Sequence, residues 1–336
     1  MSSRVMAFII LSSLPLALSA CADTAAEDAA ASEAEWQTVW ADEFDGDALD
    51  RSKWAPEESC WGGGNFERQC YTGRDENIRV DDGMLILSAR AEKFTGPIHP
   101  PELRQPGEGT VEKSYTSGKV RTKDLASWTY GRFSARMKLP EGQGTWPAFW
   151  MMPEGAEYGR WPLSGEIDIM EGVNLRTPCA ECPGGTELRT IAALHFGELP
   201  PKNTYLATKT TGEDGIDPVA DWHVYSVEWG QDRIQWFVDD TIFIRLEADD
   251  WFSAAENATG PGAPFDKPFY LMLNLAVGGL LPENENGEGF DPASIPADFQ
   301  IDWVRVEQCK GDEETGMACL SDAPWAGSVR GPSENY

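Results

Sequence analysis

The stretch Gly165-Glu166-Ile167-Asp168-Ile169-Met170-Glu171-Gly172 places three carboxyl groups within six residues. Glu166 and Asp168 are two apart, so on a β-strand both project from one face while Ile167 and Ile169 project from the other. Strict alternation would next set Met170 beside the acids and bury Glu171 in the core. A buried unpaired carboxylate is costly. The spacing therefore predicts one extra residue, a β-bulge at Ile169-Met170, that returns Glu171 to the acidic face. Carboxyl groups crowded in this way cannot all stay ionised, so at least one is pushed up and keeps its proton near neutral pH. One ionised carboxylate beside one protonated carboxyl is the pair that glycoside hydrolysis uses. A solvated acidic strand on an acidic protein is the plainer reading of a lone E-x-D, and the neighbouring residues weigh against it.

Those neighbours are aromatic. Trp146-Pro147-Ala148-Phe149-Trp150 lies just upstream, and Trp161 is closer still. Aromatic rings stack on the apolar faces of sugars and keep water out of a cleft. Any one of these tryptophans is equally at home in a core; together, around three acids, they favour a sugar groove. Other chemistries find little support. The histidines are His99, His195 and His223, with no G-x-S-x-G elbow beside them. Gly62-Gly63-Gly64 has no lysine after it, as phosphate binding would require, and there is no dinucleotide fingerprint.

The elements that must hold these residues read as strands. Phe133, Ala135, Met137 and Leu139 alternate with Arg132, Ser134, Arg136 and Lys138, and Phe269, Leu271, Leu273 and Leu275 alternate with Tyr270, Met272, Asn274 and Ala276. Met84 to Leu87, Trp222 to Trp229, Ile234 to Val238 and Phe299 to Val306 follow the same rule, and Asp239-Asp240 reads as a hairpin turn. Asp249 to Glu256 is the one stretch suited to a short helix. The Pro-, Gly- and charge-rich segment from Glu92 to Lys113 reads as a surface loop. Many strands with little helix indicate an all-β antiparallel sandwich or barrel.

A chain of 336 residues that is 41% hydrophobic can bury a substantial core. Its net charge of −29 sets it against nucleic acid, which it would repel, and disfavours heavily sulfated polymers. Arg4 precedes an apolar run from Val5 to Leu18 that is too short to span a bilayer and has the length of a signal-peptide core. It ends in Leu18-Ser19-Ala20-Cys21, which resembles a bacterial lipobox. Residues 1–20 are thus expected to be a lipoprotein signal peptide, with Cys21 lipidated and the protein exported and anchored, at the outer membrane or cell surface. Ordinary signal cleavage, with a periplasmic or secreted product, is the alternative. Residues 21–35 read as a disordered acidic tether, 36–310 as the catalytic domain and 311–336 as a polar tail. Six further cysteines allow 15 pairings. Sequence proximity suggests Cys60–Cys70, Cys179–Cys182 and Cys309–Cys319, with zinc as a competing use of Cys179 and Cys182.

From Trp40 to Val306 the sequence resembles glycoside hydrolase family 16, its laminarinase-like members most closely. The resemblance is carried by Trp40-Ala41-Asp42-Glu43-Phe44, Gly144-Thr145-Trp146-Pro147-Ala148-Phe149-Trp150, the E-I-D-I-M-E core, Leu194-His195-Phe196-Gly197, Leu273-Asn274-Leu275-Ala276 and Asp302-Trp303-Val304-Arg305-Val306. Gly64-Asn65-Phe66-Glu67-Arg68-Gln69-Cys70-Tyr71 follows the family's Asn-Asn-Glu-x-Gln-Tyr-Tyr segment, with Phe66 in place of the second Asn and Cys70 in place of a Tyr. The resemblance implies a β-jelly roll of two curved antiparallel sheets with a concave substrate cleft. It implies Glu166 as nucleophile, Glu171 as acid/base and Asp168 as the group that tunes Glu166. Asn65, Glu67, Arg132, Trp146, Trp150, Trp161, His195 and Asn274 would bind sugar. Glu43, Gly83 and Asp302 would hold a structural Ca²⁺, with no cofactor for catalysis. The implied activity is retaining endo-hydrolysis of β-1,3-glucan, extending to mixed-linkage β-1,3-1,4-glucan, by a monomer. A marine galactan such as agar or carrageenan is the alternative substrate on this scaffold, and a non-catalytic surface glycan-binding lipoprotein is the alternative of a different class.

Overall fold

The computed structural model describes Met1, residues 34–212 and residues 215–331; Cys21 and nearly all of the acidic tether lie outside them. Among the described residues seventeen strands follow one another. They are β1 (Glu35–Asp42), β2 (Ala55–Pro56), β3 (Gln69–Tyr71), β4 (Ile78–Asp81), β5 (Met84–Pro97), β6 (Thr110–Ser117), β7 (Lys119–Arg121), β8 (Gly131–Lys138), β9 (Thr145–Pro153), β10 (Glu166–Gly172), β11 (Thr190–Gly197), β12 (Asn203–Lys209), β13 (His223–Trp229), β14 (Arg233–Val238), β15 (Thr241–Glu247), β16 (Phe269–Val277) and β17 (Ala297–Lys310). They form two sheets. The seven-stranded one runs β12-β11-β10-β9-β16-β7-β2, and the ten-stranded one runs β15-β14-β13-β8-β17-β5-β6-β3, with β1 on β17 and β4 on β5. Pairing is antiparallel except between β3 and β6.

The core lies between the sheets and is built by period-two burial. On β8 Phe133, Ala135 and Met137 are fully buried, and on β16 so are Leu271, Leu273 and Leu275. The other face of β16 carries Tyr270, Met272, Asn274 and Ala276, and these too are no more than 7% exposed. A sheet face turned away from the core yet hidden from solvent is the floor of a groove. The seven-stranded sheet is therefore the concave layer of a jelly roll.

Several expectations are met directly. Val238 pairs with Thr241 across Asp239-Asp240, and the disulfides are Cys60–Cys70, Cys179–Cys182 and Cys309–Cys319. Others need correction. Residues 92–113 are not a loop throughout: β5 runs on to Pro97 and pairs with β6 from Thr110, leaving only 98–109 as the connection. This ribbon is largely solvated, so its alternation is polar and carries no apolar signature. Asp249 to Glu256 yields only a 3₁₀ turn at Ala248–Asp250, whereas the α-helix among the described residues is Leu280–Glu285. The polar tail is tied down, as a bridged Cys319 would require: Cys309–Cys319 closes its start, and residues 320–331 pack onto the strands. Arg245 donates to the carbonyls of Ser321 and Ala323, Trp325 Nε1 donates to that of Phe243, and Arg330 pairs with Ala207. At the other end, Glu35 already belongs to β1.

Candidate active site

On the side of β9, Asp168 opposes Trp150 and Met170 opposes Phe149, which leaves Ile169 without a partner. On the side of β11, Asp168 opposes Ala193 and Glu171 opposes Ile191, so three steps on β10 match two on its neighbour. The extra residue sits where the acids' spacing requires it. Ile167, Ile169 and Met170 all enter the core, at 0–1% exposure. Glu166, Asp168 and Glu171 are returned to the groove.

Each acid has its own partner. Trp161 Nε1 donates to Glu166 at 2.5 Å, and Trp146 Nε1 donates to Glu171 at 2.8 Å. His195, opposite Glu166 on β11, brings Nε2 to 3.2 Å from Asp168 Oδ2. Its ring lies between those of Trp161 and Tyr205, with centroids 6.0 and 5.5 Å away. Burial, reinforced by the Asp168 charge, raises Glu166 to about 8 and Glu171 to about 8. Burial raises Asp168 itself to about 7, against a hydrogen bond with Glu166 that lowers it. Groups this close titrate as a set, so near neutral pH the site holds protons that isolated carboxylates would have lost.

A second network borders the groove floor. Trp150 Nε1 donates to Asn274 Oδ1 at 2.7 Å, and Asn274 Nδ2 donates to the Tyr71 hydroxyl at 3.1 Å. Tyr71 donates to Glu67 Oε2 at 3.3 Å, and Gln69 Nε2 reaches the same oxygen at 2.6 Å. Glu67 is raised, chiefly by burial, and also bonds Asn65. Lys119 Nζ lies 5.0 Å above the Trp150 ring and 3.1 Å from Glu57. Gln69 and Tyr71 stand in the Gly64–Tyr71 segment matched above but were given no role there, and Lys119 was not named from sequence. Val120 between Lys119 and Arg121 was the available signal, a short strand with its cations on the groove side.

The structure thus gathers Glu166, Asp168, Glu171, Trp146, Trp150, Trp161, His195 and Asn274 on and around one sheet face, with Glu67 and Asn65 joined to them through Tyr71. Arg132 is not among them. Phe133 points into the core, so Arg132 points out of the ten-stranded sheet. There it donates to Glu307 at 2.6 Å and stacks on Trp36. The residues expected to hold calcium do not fit as arranged. The pairings Asp42 with Val304 and Leu85 with Ile301 bring Glu43, Gly83 and Asp302 to one region of the outer sheet. Both Glu43 oxygens, however, accept from Arg305 at 2.8 Å, and Asp302 accepts from Arg136 at 2.6 Å. Carboxylates neutralised by guanidinium groups are not a free hard-oxygen set. Cys179 and Cys182 are joined to each other, which removes the thiolates zinc would need. Glu166, Asp168 and His195 present ligand atoms within 4.8 Å of one another; their partners are one another and Trp161.

Comparison with known proteins agrees with this geometry. Over 276 residues the chain is 40% identical to the glucan endo-1,3-beta-glucosidase A1 of Niallia circulans, covering 80% of this chain but only 37% of that protein. It is 40% identical over 282 residues to a beta-glucanase of Rhodothermus marinus, covering 81% of this chain and 85% of the relative. The X-ray structure of the laminarinase from Rhodothermus marinus superposes with a TM-score of 0.64 at 35% identity, covering 82% of this chain and 99% of that one. Residues 67–305 match the family described as glycosyl hydrolases family 16. With the bulged acidic strand, the tryptophan-lined groove and these matches in agreement, the chain belongs to glycosyl hydrolase family 16.

Proposed function

We propose that this glycoside hydrolase is a retaining endo-β-1,3-glucanase that also accepts mixed-linkage β-1,3-1,4-glucan. The observation that carries the reading is the trio Glu166, Asp168 and Glu171 on one face of a bulged strand, each with a raised pKa, between Trp146 and Trp161. Glu166, in its ionised form, attacks the anomeric carbon while Glu171 protonates the departing glycosidic oxygen. The resulting glycosyl–Glu166 ester is then opened by a water that Glu171, now ionised, deprotonates. Asp168 takes up the proton that Glu166 must lack and orients it. His195 steadies Asp168, and the flanking indoles exclude water and stack on the sugars. The relatives are a glucan endo-1,3-beta-glucosidase, a beta-glucanase and a laminarinase, which supports the substrate class.

Reducing-sugar release from laminarin, lichenan, agarose and carrageenan tests this. Laminarin should be cleaved fastest, with Glu166→Gln inert yet still binding. Preferential cleavage of agarose or carrageenan would reassign the substrate, and an inactive wild type that binds glucan would leave only a binding protein. NMR of fresh products should show the β anomer first; early α product excludes retention. We further propose that the enzyme acts as a monomer anchored through a lipid on Cys21, a reading supported by Leu18-Ser19-Ala20-Cys21 after an apolar run. Palmitate labelling of the wild type, absent in Cys21→Ala, checks the anchor.

A further inference from the structure

The loop between Trp61 and Arg68 displays an aromatic ring that no contact within the chain accounts for. Phe66 is 79% exposed. Its backbone has φ +60°, a conformation that bulky residues avoid. A solvent-facing phenylalanine held in a disfavoured backbone region gains nothing for the fold from either property. Nor is the loop loose. Asn65 N–H donates to the Gly62 carbonyl at 2.8 Å, and Arg68 N–H to that of Val277 at 2.7 Å. Leu280 N–H donates to the Asn65 carbonyl at 2.8 Å, Lys113 Nζ to that of Glu67 at 2.7 Å, and Arg68 grips Glu283 with two bonds of 2.7 Å. The surroundings therefore impose the position of Phe66.

Its two sequence neighbours tie this loop to the groove. Asn65 bonds Glu67, and Glu67 reaches Trp150 through Tyr71 and Asn274. Trp61, 40% exposed, and Leu280, 49% exposed, belong to the same rim. The tryptophans beside the carboxylates, Trp146 and Trp161, are held by hydrogen bonds to the acids themselves. Phe66 carries no such polar duty. It is a flat apolar face at the border of a groove whose ligand has flat apolar faces.

We propose that Phe66 is a sugar-stacking platform, an additional subsite for a glucosyl unit of a long chain away from the bond being cut. The occupant is the polysaccharide already assigned to the groove, so the inference rests on that assignment. It makes the enzyme prefer long chains over short ones. The ring adds contact only when the chain extends to the rim, and a rigid loop pays no ordering entropy to provide it.

The test compares Phe66→Ala and Phe66→Asn with the wild type on β-1,3-linked oligosaccharides of three and seven glucose units. KM for the heptasaccharide should rise about 10-fold, as loss of an aromatic–sugar stack implies, while KM for the trisaccharide changes less than twofold. Phe66→Trp should retain tight use of the heptasaccharide. Melting temperatures of the Ala and Asn variants should equal or exceed that of the wild type, since Phe66 is 79% exposed and Asn tolerates positive φ. Equal KM values for the heptasaccharide in all variants would overturn the proposal, as would parallel rises for both lengths or a lowered melting temperature. If the substrate panel assigns another polysaccharide, the same length comparison is made with oligomers of that polymer. Failure of the glucan assignment and failure of the platform therefore give separate results.

Discussion

Glu166, Asp168 and Glu171 are each raised above the ordinary carboxyl range, first by burial. The sign of the consequence follows from proton linkage. Between about pH 4, where an unfolded carboxyl ionises, and the folded values of about 7 to 8, the native site holds protons that the unfolded chain has released. The site's contribution to stability is thus most favourable below about pH 4 and declines as pH rises to about 8. Glu171→Gln removes one buried charge while its amide oxygen still accepts from Trp146. Its melting temperature should exceed the wild type's by about 2–4 °C at pH 8, a gain of roughly 1 kcal/mol, and by much less at pH 4.5. Calorimetry showing no gain at pH 8 would remove burial as the cause. Activity of the same variant should fall about 10²–10⁴-fold. The Asp168 charge is the second cause of elevation in both glutamates. Asp168→Asn should therefore move the alkaline limb of the kcat/KM profile to lower pH. Limbs that stay in place would mean the trio is not electrostatically coupled.

Within the elements, the bulge in β10 is anchored from across the core. Trp236 on β14 is fully buried and donates Nε1–H to the backbone carbonyl of Asp168 at 2.9 Å. A carbonyl in a regular ladder points at the adjacent strand; the irregularity beside Asp168 lets this one face the opposite sheet. Trp236 adjoins an irregularity of its own, between Trp236 and Phe237 in the pairing of β14 with β15. One hydrogen bond thus joins two distorted strands and fixes the backbone that carries Asp168. Trp236→Phe leaves the carbonyl without its donor and should cost about 1–3 kcal/mol. As a positioning residue it should lower kcat while leaving KM for laminarin within about twofold, and shift the pH profile through Asp168. A lower melting temperature with kcat and profile intact would reduce Trp236 to a packing residue.

For the whole molecule, β12 and β15 are each an outermost strand of their sheet. The chain's last described segment runs along both. Arg330 pairs with Ala207 of β12, and Trp325 Nε1 bonds the Phe243 carbonyl of β15. Edge strands left open are templates for association. Truncation after Leu320, which spares the Cys309–Cys319 bridge, should lower the melting temperature and promote aggregation on heating. Specific activity at 20 °C should persist, because the acids lie on β10. An unchanged melting temperature would show that the segment covers nothing of consequence.

Much of this was legible in the chain itself because its causes are local. Side-chain alternation is set by each residue's own geometry, so three acids spaced E-x-D-x-x-E demanded an extra residue before any neighbour was known. The Asp239-Asp240 turn and the near-neighbour disulfides are equally short-range. The tertiary structure decided the rest, where the cause is a partner far away in sequence. Which face of β8 looks outward placed Arg132 on Glu307, 175 residues on, instead of in the groove. Sheet closure set Arg305 on Glu43, 262 residues away, and so neutralised an expected calcium ligand. It also brought Trp236 to Asp168 across 68 residues. A strand's sequence states that it has two faces. Only packing one sheet on another determines which face becomes core, which becomes groove, and what each charge meets there.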